Sequence, residues 1–411
     1  MFDFNTLGDL RYDGRTVLLR ADVNCPMDRE AKRIINDVRI RSIVCTVREL
    51  MGKRAKVVVL AHQSRKGKWD FTDLSQHAAL LSKNLNAPVR YVDDVIGEEA
   101  KAAICDMAPG EVLMLGNVRA LDSETAKLEM EEHARGELVR ELAPFFDCYV
   151  CDAFGAAHRS QCSLVGFPLV MPSACGRLMA KEIYALSMIF VNPRRPSVFV
   201  LGGAKFGDVP HMIDRVLGAG TADTVILVGL VGNAFLAARG VDIGMASRAP
   251  LEDELTEENF REAQRVMGLY GQRIILPSDV AVEKDGKRAS VNIGDMAESG
   301  AALDIGDRSI EKFRKVLLAS RTSFMSGPAG MFEKPGFEIG TKAIMTAMVD
   351  SRGLAVLGGG HTSAAAERFD LADSMSYVST GGGALETFLL NDPLPAISAL
   401  ECSKAKFGIG Q

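Results

Sequence analysis

The chain has 411 residues, 47% of them hydrophobic and 25% charged, and a formal net charge of −5. That length implies two domains, and that composition excludes global disorder, a disulfide-built scaffold and a basic nucleic-acid binder. The unusual feature is 39 glycines in a chain with only 6% aromatic residues.

Short, continuously apolar runs recur along the chain, separated by segments of helical period. In the first half they cover 17–21, 57–61, 89–92, 112–115 and 148–151; in the second, 198–201, 225–228, 274–276, 323–325, 354–357 and 375–378. Runs of this kind are expected for parallel strands covered on both faces. Amphipathic stretches at 40–51 and 75–85 supply helices between them. Strands alternating with helices predict an α/β protein built from two doubly wound, Rossmann-like parallel-sheet domains. Residues 171–176 break the first set, 178–190 read as one helix, and Asn192, Pro193 and Pro196 end it. The expected layout is therefore a first domain over 1–172, an interdomain helix and hinge over 173–196, and a second domain over 197–395.

Three features invite other readings and lose to simpler ones. The opening residues lack a basic stretch followed by a long apolar one, so no secretory leader is expected. The most hydrophobic stretch, 225–238, is interrupted by Gly229, Gly232 and Asn233 and reads as a buried strand entering a helix. Cys148 and Cys151 form a C-x-x-C, but on a strand side chains three apart face opposite ways, so no metal site is expected. With no membrane span and no disulfide framework, the chain is expected in the reducing cytoplasm.

In open parallel sheets, ligands bind beyond the carboxyl ends of the strands. In the first half those ends carry Asp22 and Asn24, then His62, Ser64 and Arg65, then Asn117 and Arg119, then Asp152, His158 and Arg159, with Arg39 opening the first helical stretch. Four arginines converging on one edge suit a small, multiply anionic ligand, because guanidinium groups bind carboxylate and phosphate bidentately. In the second half the same positions are glycine-rich: 202–205, Gly229, 327–330, 358–362 and 380–383. Backbone N–H groups in such loops approach phosphates closely, and a following helix N-terminus favours anions. Lys205 is the one cation in these loops. No Walker A sequence, dinucleotide fingerprint, H-R-D loop, nucleophile elbow or H-E-x-x-H is present. An arginine-lined lobe and a glycine-lined lobe together suggest phosphoryl transfer between two separately bound ligands.

From Thr16 to Gly383 the motifs resemble phosphoglycerate kinases, in family order. They are Arg20-x-Asp22-x-Asn24-x-Pro26, the run from Asp152 to Arg159, Gly202-Gly203-Ala204-Lys205, the run from Ser326 to Glu333, and Ser379-Thr380-Gly381-Gly382-Gly383-Ala384. The resemblance implies reversible transfer between ATP and the carboxylate of 3-phosphoglycerate, giving ADP and 1,3-bisphosphoglycerate, with Mg²⁺ accompanying the nucleotide. It implies that Asp22, Asn24, Arg39, His62, Gln63, Ser64, Arg65, Arg119 and Arg159 bind the phosphoglycerate. It places Gly203, Lys205, Glu333, Gly359, Gly360, His361 and Thr362 at the nucleotide. Arg39, Lys205 and the backbone at Gly382 would stabilise the transferring group. It further implies a monomer whose tail, 396–411, returns to the first domain, and no nucleic-acid or membrane partner. The chain departs from the family pattern twice: His361 replaces the usual Asp near Mg²⁺, and Val209 stands where many members carry a second lysine. Both departures resemble the archaeal branch. A related kinase with another carboxylate acceptor would change the arginine set, and a nucleotide-binding protein without catalysis would lose Arg39 or Lys205. Both residues are present.

Overall fold

The computed structural model describes residues 2–390 and 392–408. Two compact units divide the chain, one formed by Met1–Ile183 with Asp392–Gln411, the other by Tyr184–Asn391. The division falls inside a helix, Arg177–Phe190, rather than on either side of it. The start of that helix is fixed by Arg177, which forms an ion pair with Glu49 at 2.6 Å. Its last residue, Phe190, packs edge-on against Phe199 and Phe324.

The first unit is built on a six-stranded sheet. In chain order the strands are β1 (Thr16–Ala21), β2 (Lys56–Ala61), β3 (Arg90–Tyr91), β4 (Val112–Asn117), β5 (Cys148–Asp152) and β6 (Ser173–Cys175), and in space they run 3-4-2-1-5-6. All pairings are parallel. The strands are hydrophobic throughout because both faces are covered. The helix Val38–Gly52 shows why the covering elements form: Ile40, Ile43, Val44, Val47 and Leu50, spaced at three and four, are all buried on one face. Each buried side chain of this size contributes about 1.5–3 kcal/mol. The described end of the chain, helix Pro395–Phe407, packs on this unit. There the Ala396 N–H donates to the Ala157 carbonyl, and the Ser403 hydroxyl donates to that of Met171. Residues 409–411 of the expected tail lie outside the described residues.

The second unit repeats the architecture. Its main sheet takes β7 (Ser197–Leu201), β8 (Thr224–Leu227), β9 (Ile274–Ile275), β13 (Thr322–Ser326), β14 (Leu354–Gly358) and β15 (Tyr377–Val378), in the spatial order 15-14-13-7-8-9 and parallel throughout. A smaller antiparallel sheet joins β10 (Asp279–Lys284), β11 (Lys287–Asn292) and β12 (Asp304–Ile305). The apolar runs of the sequence do not announce this sheet. Its signal is the pair Asp285-Gly286, whose φ values of 50° and 74° make the two-residue turn that hairpins favour. The reading also treats 171–176 as a break, whereas 173–175 pair with β5 as an edge strand.

Several helices are capped by buried carboxylates from other parts of their unit. Asp152 accepts from the Met179 N–H at 2.9 Å, Asp279 from the Ser309 N–H at 2.8 Å, and Asp304 from the Gly340 N–H at 2.7 Å. The adjacent glycines are there for space. A Cβ on Gly176 would sit 2.3 Å from Asp152, and one on Gly340 would sit 2.1 Å from Asp304.

In each sheet the strand order reverses once, between β1 and β5 and between β7 and β13. The loops leaving these strands carry the functional candidates.

Candidate active site

The loop after β1 and the helix that follows are tied together at Asp22. This buried carboxylate accepts from Arg39 and from the Asn24 N–H. Burial raises its pKa, but the Arg39 charge and the hydrogen bonds outweigh that and hold it well below the ordinary carboxylate range. The Asn24 side-chain oxygen accepts from the Ser64 N–H at 2.8 Å, so the loops after β1 and β2 are locked to each other. Gln63 completes the lock rather than facing a ligand. It is fully buried, its oxygen accepts from the Cys25 N–H and the His77 ring, and its amide donates to the Cys25 carbonyl.

The tautomer of His62 follows from its neighbour. The Arg20 guanidinium lies 3.1 Å from His62 Nδ1, and a guanidinium can only donate. Nδ1 therefore accepts, and the ring is neutral with its proton on Nε2. Burial, reinforced by the Arg20 charge, pushes the His62 pKa well below its ordinary value, in agreement. Beneath it lies a buried pair that the sequence reading did not single out. Arg20 and Glu124 are both fully inaccessible and 3.8 Å apart, and Glu124 also accepts from the Ser163 N–H and hydroxyl at 2.8 and 2.7 Å.

Beside these loops is a pocket of about 270 Å³ lined by Arg65, Lys66, Arg119, Asp122, Thr125, Arg159 and Gln161. Four of the seven lining residues are cations. Arg119 is held by the Ser64 carbonyl and by Gln161. Burial, then the charge of Arg159, pushes its guanidinium down to about 10. Its buried Nε has no partner among the described residues. Burial followed by the charge of Arg65 also lowers the pKa of Arg159. Four cations against the single carboxylate of Asp122 favour a multivalent anion. Lys66 was not anticipated. Only its place beside Arg65 marked it, and it is held 2.7 Å from Asp122.

In the second unit the loop after β7 meets the loop after β13. The Gly202 N–H donates to the Ser326 carbonyl at 2.8 Å, and a Cβ on Gly327 would sit 2.2 Å from the Gly202 carbonyl carbon. With φ of +87°, Gly327 admits no other residue without strain. Thr362 accounts for itself structurally: its hydroxyl, fully buried, accepts from the Gly327 N–H at 2.8 Å and draws in the loop after β14.

Here a pocket of about 280 Å³ opens, walled by Gly203, Gly229, Pro277, Val280, Pro328 and Met331 among others, with Glu333 and His361 also on its lining and exposed. Apolar walls with glycine backbone suit a base and ribose. Gly359 precedes helix Gly360–Arg368, and Gly382 precedes helix Gly383–Leu390, so both stand at helix N-termini, where N–H groups are open to anions. Lys205 is not part of the pocket wall; its ammonium lies 3.3 Å from both Glu386 oxygens. Among the described residues no cluster of three His, Cys, Asp or Glu is placed to hold a metal ion.

A family model described as phosphoglycerate kinase matches residues 7–391. The chain belongs to the phosphoglycerate kinase family. It is 42% identical over 401 residues to the phosphoglycerate kinase of Methanothermus fervidus, and 43% identical over 403 to that of Methanothermobacter thermautotrophicus, with 98% of each chain covered in both cases. Its fold matches the crystal structure of phosphoglycerate kinase from Pyrococcus horikoshii with a TM-score of 0.91 at 36% identity, covering 98% of this chain and all of the other. The structure of phosphoglycerate kinase from Coxiella burnetii matches with a TM-score of 0.82 at 32% identity over 97% of this chain and 99% of that one. Against that family, Gln63 and Thr362 hold loops together, while Arg65, Arg119, Arg159, Gly203, Glu333 and His361 line pockets. Among the described residues no helix is long and apolar enough to cross a membrane.

Proposed function

We propose that this chain catalyses reversible phosphoryl transfer between ATP and the carboxylate of 3-phosphoglycerate, giving ADP and 1,3-bisphosphoglycerate. The observation that carries the reading is the pair of unlike pockets, one ringed by four cations and one walled by glycine backbone and apolar side chains, each at the carboxyl edge of its own parallel sheet.

The acceptor is a carboxylate with a pKa of about 4, ionised at neutral pH, so no general base is required. Catalysis rests on positioning and charge stabilisation. Arg65, Arg119 and Arg159 hold the phosphate of the acceptor. Asp22 fixes the Arg39 guanidinium, and neutral His62 offers its Nε2–H as a hydrogen-bond donor. Gly203, Gly359, Gly360 and Glu333 receive the nucleotide. The N–H groups after Gly382, with Lys205 released from Glu386, meet the charge that develops on the transferring group.

Mg²⁺ carried by the nucleotide would supply charge neutralisation at its phosphates. The residues beside the phosphate loops do not fit a protein-held ion. His361 is an exposed imidazole, a poor ligand for a hard cation, and the nearby carboxylate, Glu386, is engaged by Lys205.

The test is NADH oxidation in a coupled assay with 3-phosphoglycerate, Mg-ATP and a bisphosphoglycerate-consuming dehydrogenase. Turnover is expected; a folded protein that shows none refutes the reading.

A further inference from the structure

The nucleotide pocket contains one polar group that nothing above explains. Asn233 sits inside helix Gly229–Ala238 and is only 4% exposed, yet it lines the pocket. Around it the wall is apolar, formed by Leu230, Pro250, Pro277, Val280 and Phe332. Among the described residues its side-chain amide makes no hydrogen bond.

The other polar side chains of that wall are accounted for. Both oxygens of Asp304 are used, one by its neighbour's N–H at 2.8 Å and one by the Gly340 N–H at 2.7 Å. Glu333 and His361 are exposed and need no protein partner. Asn233 is thus a buried amide with its hydrogen-bonding capacity unspent. It also stands in a helix interior, where asparagine is disfavoured because its side chain competes for the backbone. The amide opens onto the pocket rather than into the packed core, so a ligand that enters this otherwise apolar wall displaces its water and must replace those hydrogen bonds.

We propose that Asn233 reads the polar edge of the nucleotide's base. This rests on the phosphoryl-transfer reading and deepens it. A carboxamide presents one donor and one acceptor side by side, the complement of the amino group and ring nitrogen on adenine. The contact is made equally before and during transfer, so it acts on nucleotide binding and not on the chemical step.

The experiment crosses two changes. The protein is changed by Asn233→Leu, which keeps the size and removes the amide. The nucleotide is changed from ATP to purine riboside triphosphate, which lacks the exocyclic amino group. In the wild type this analogue should show a KM about three- to tenfold above that of ATP, the worth of one net hydrogen bond. The variant should show a similar rise with ATP at unchanged kcat, and no further rise with the analogue. A wild type that does not distinguish the two nucleotides overturns the proposal, whether or not the variant folds. So does a folded variant with unchanged ATP KM, or penalties that multiply. Failure of the underlying reading looks different: neither protein turns over ATP with 3-phosphoglycerate. In that event calorimetric binding of ADP to both proteins still decides the role of Asn233, with equal affinities overturning it.

Discussion

The buried pair beneath the anion pocket gives the sharpest energetic test. Arg20 and Glu124 are both fully inaccessible, with 3.8 Å between nitrogen and oxygen. At an effective dielectric of about 20 their attraction is about 4 kcal/mol. Glu124→Gln removes the charge and keeps one acceptor for Ser163. Arg20 then keeps only neutral hydrogen-bond partners, the Ser163 hydroxyl, the Ala21 carbonyl and the His62 ring, with the more distant Asp22 charge as its remaining counterpart. A buried cation left without its anion costs about 3–5 kcal/mol. For a unit of about 200 residues, that lowers the melting temperature by about 6–20 °C.

The assay is urea and thermal unfolding of the wild type, Glu124→Gln, Arg20→Met and the double variant Arg20→Met/Glu124→Leu. Replacing both charges with apolar groups of similar volume removes the desolvation penalty as well as the attraction, so the double variant should recover most of the lost stability. The two single changes must therefore be strongly non-additive, with a coupling above about 2 kcal/mol. A Glu124→Gln cost under about 1 kcal/mol, or simple additivity, refutes the argument. Arg20→Met also frees His62 Nδ1, so phosphoglycerate binding should acquire a pH dependence from His62 on top of that of the ligand's own phosphate.

Three further predictions follow from individual residues. Arg39→Ala and Lys205→Ala should each lower kcat about a hundredfold or more in the coupled assay, the usual effect of losing one transition-state charge contact; near wild-type kcat would remove that residue from its role. His77 is fully buried, and desolvation pushes its pKa from 6.5 down to about 4, so the folded state disfavours a proton that the unfolded state takes up. Its contribution is complete above pH 6.5 and is lost as pH falls toward 4, on the order of 3 kcal/mol in all; His77→Gln should flatten that part of the stability–pH curve, and an unchanged slope would contradict it. Gly327→Ala places a methyl 2.2 Å from the Gly202 backbone at a φ of +87°, so nucleotide KM should rise at least about tenfold with phosphoglycerate binding intact; a tolerated substitution would mean the two loops are not held together as described.

The parts that could be read from sequence share a physical property: their signal is local. Continuous runs such as 57–61 and 112–115 announce covered parallel strands, and these two pair with each other as β2 and β4. The arginines and glycine blocks are equally visible, because each sits directly after such a run. What stays hidden depends on distant partners. Glu124 is an ordinary acid in a polar stretch until Ser163 and Arg20 close over it. Gln63 looks like one more polar residue after β2, and only the approach of Cys25 and His77 shows that it clamps loops. The hairpin at Asp285-Gly286 is local and legible; the polar and charged residues of β11, Lys287, Arg288, Ser290 and Asn292, break the apolar pattern that marks the other strands.

The same distinction separates the binding chemistry from its support. Many residues that meet ligands are arginines, or give up their side chains as glycines do, and both habits show in composition. Residues that set the state of those groups do so through burial. Arg20 makes His62 a neutral donor, Asp22 orients Arg39, and Thr362 pins Gly327. Such residues are inaccessible, so they gain no signature of surface chemistry, and they are polar, so they gain none of the core. The positioning layer of a site is therefore the part a single sequence hides best, and three-dimensional contacts are what expose it.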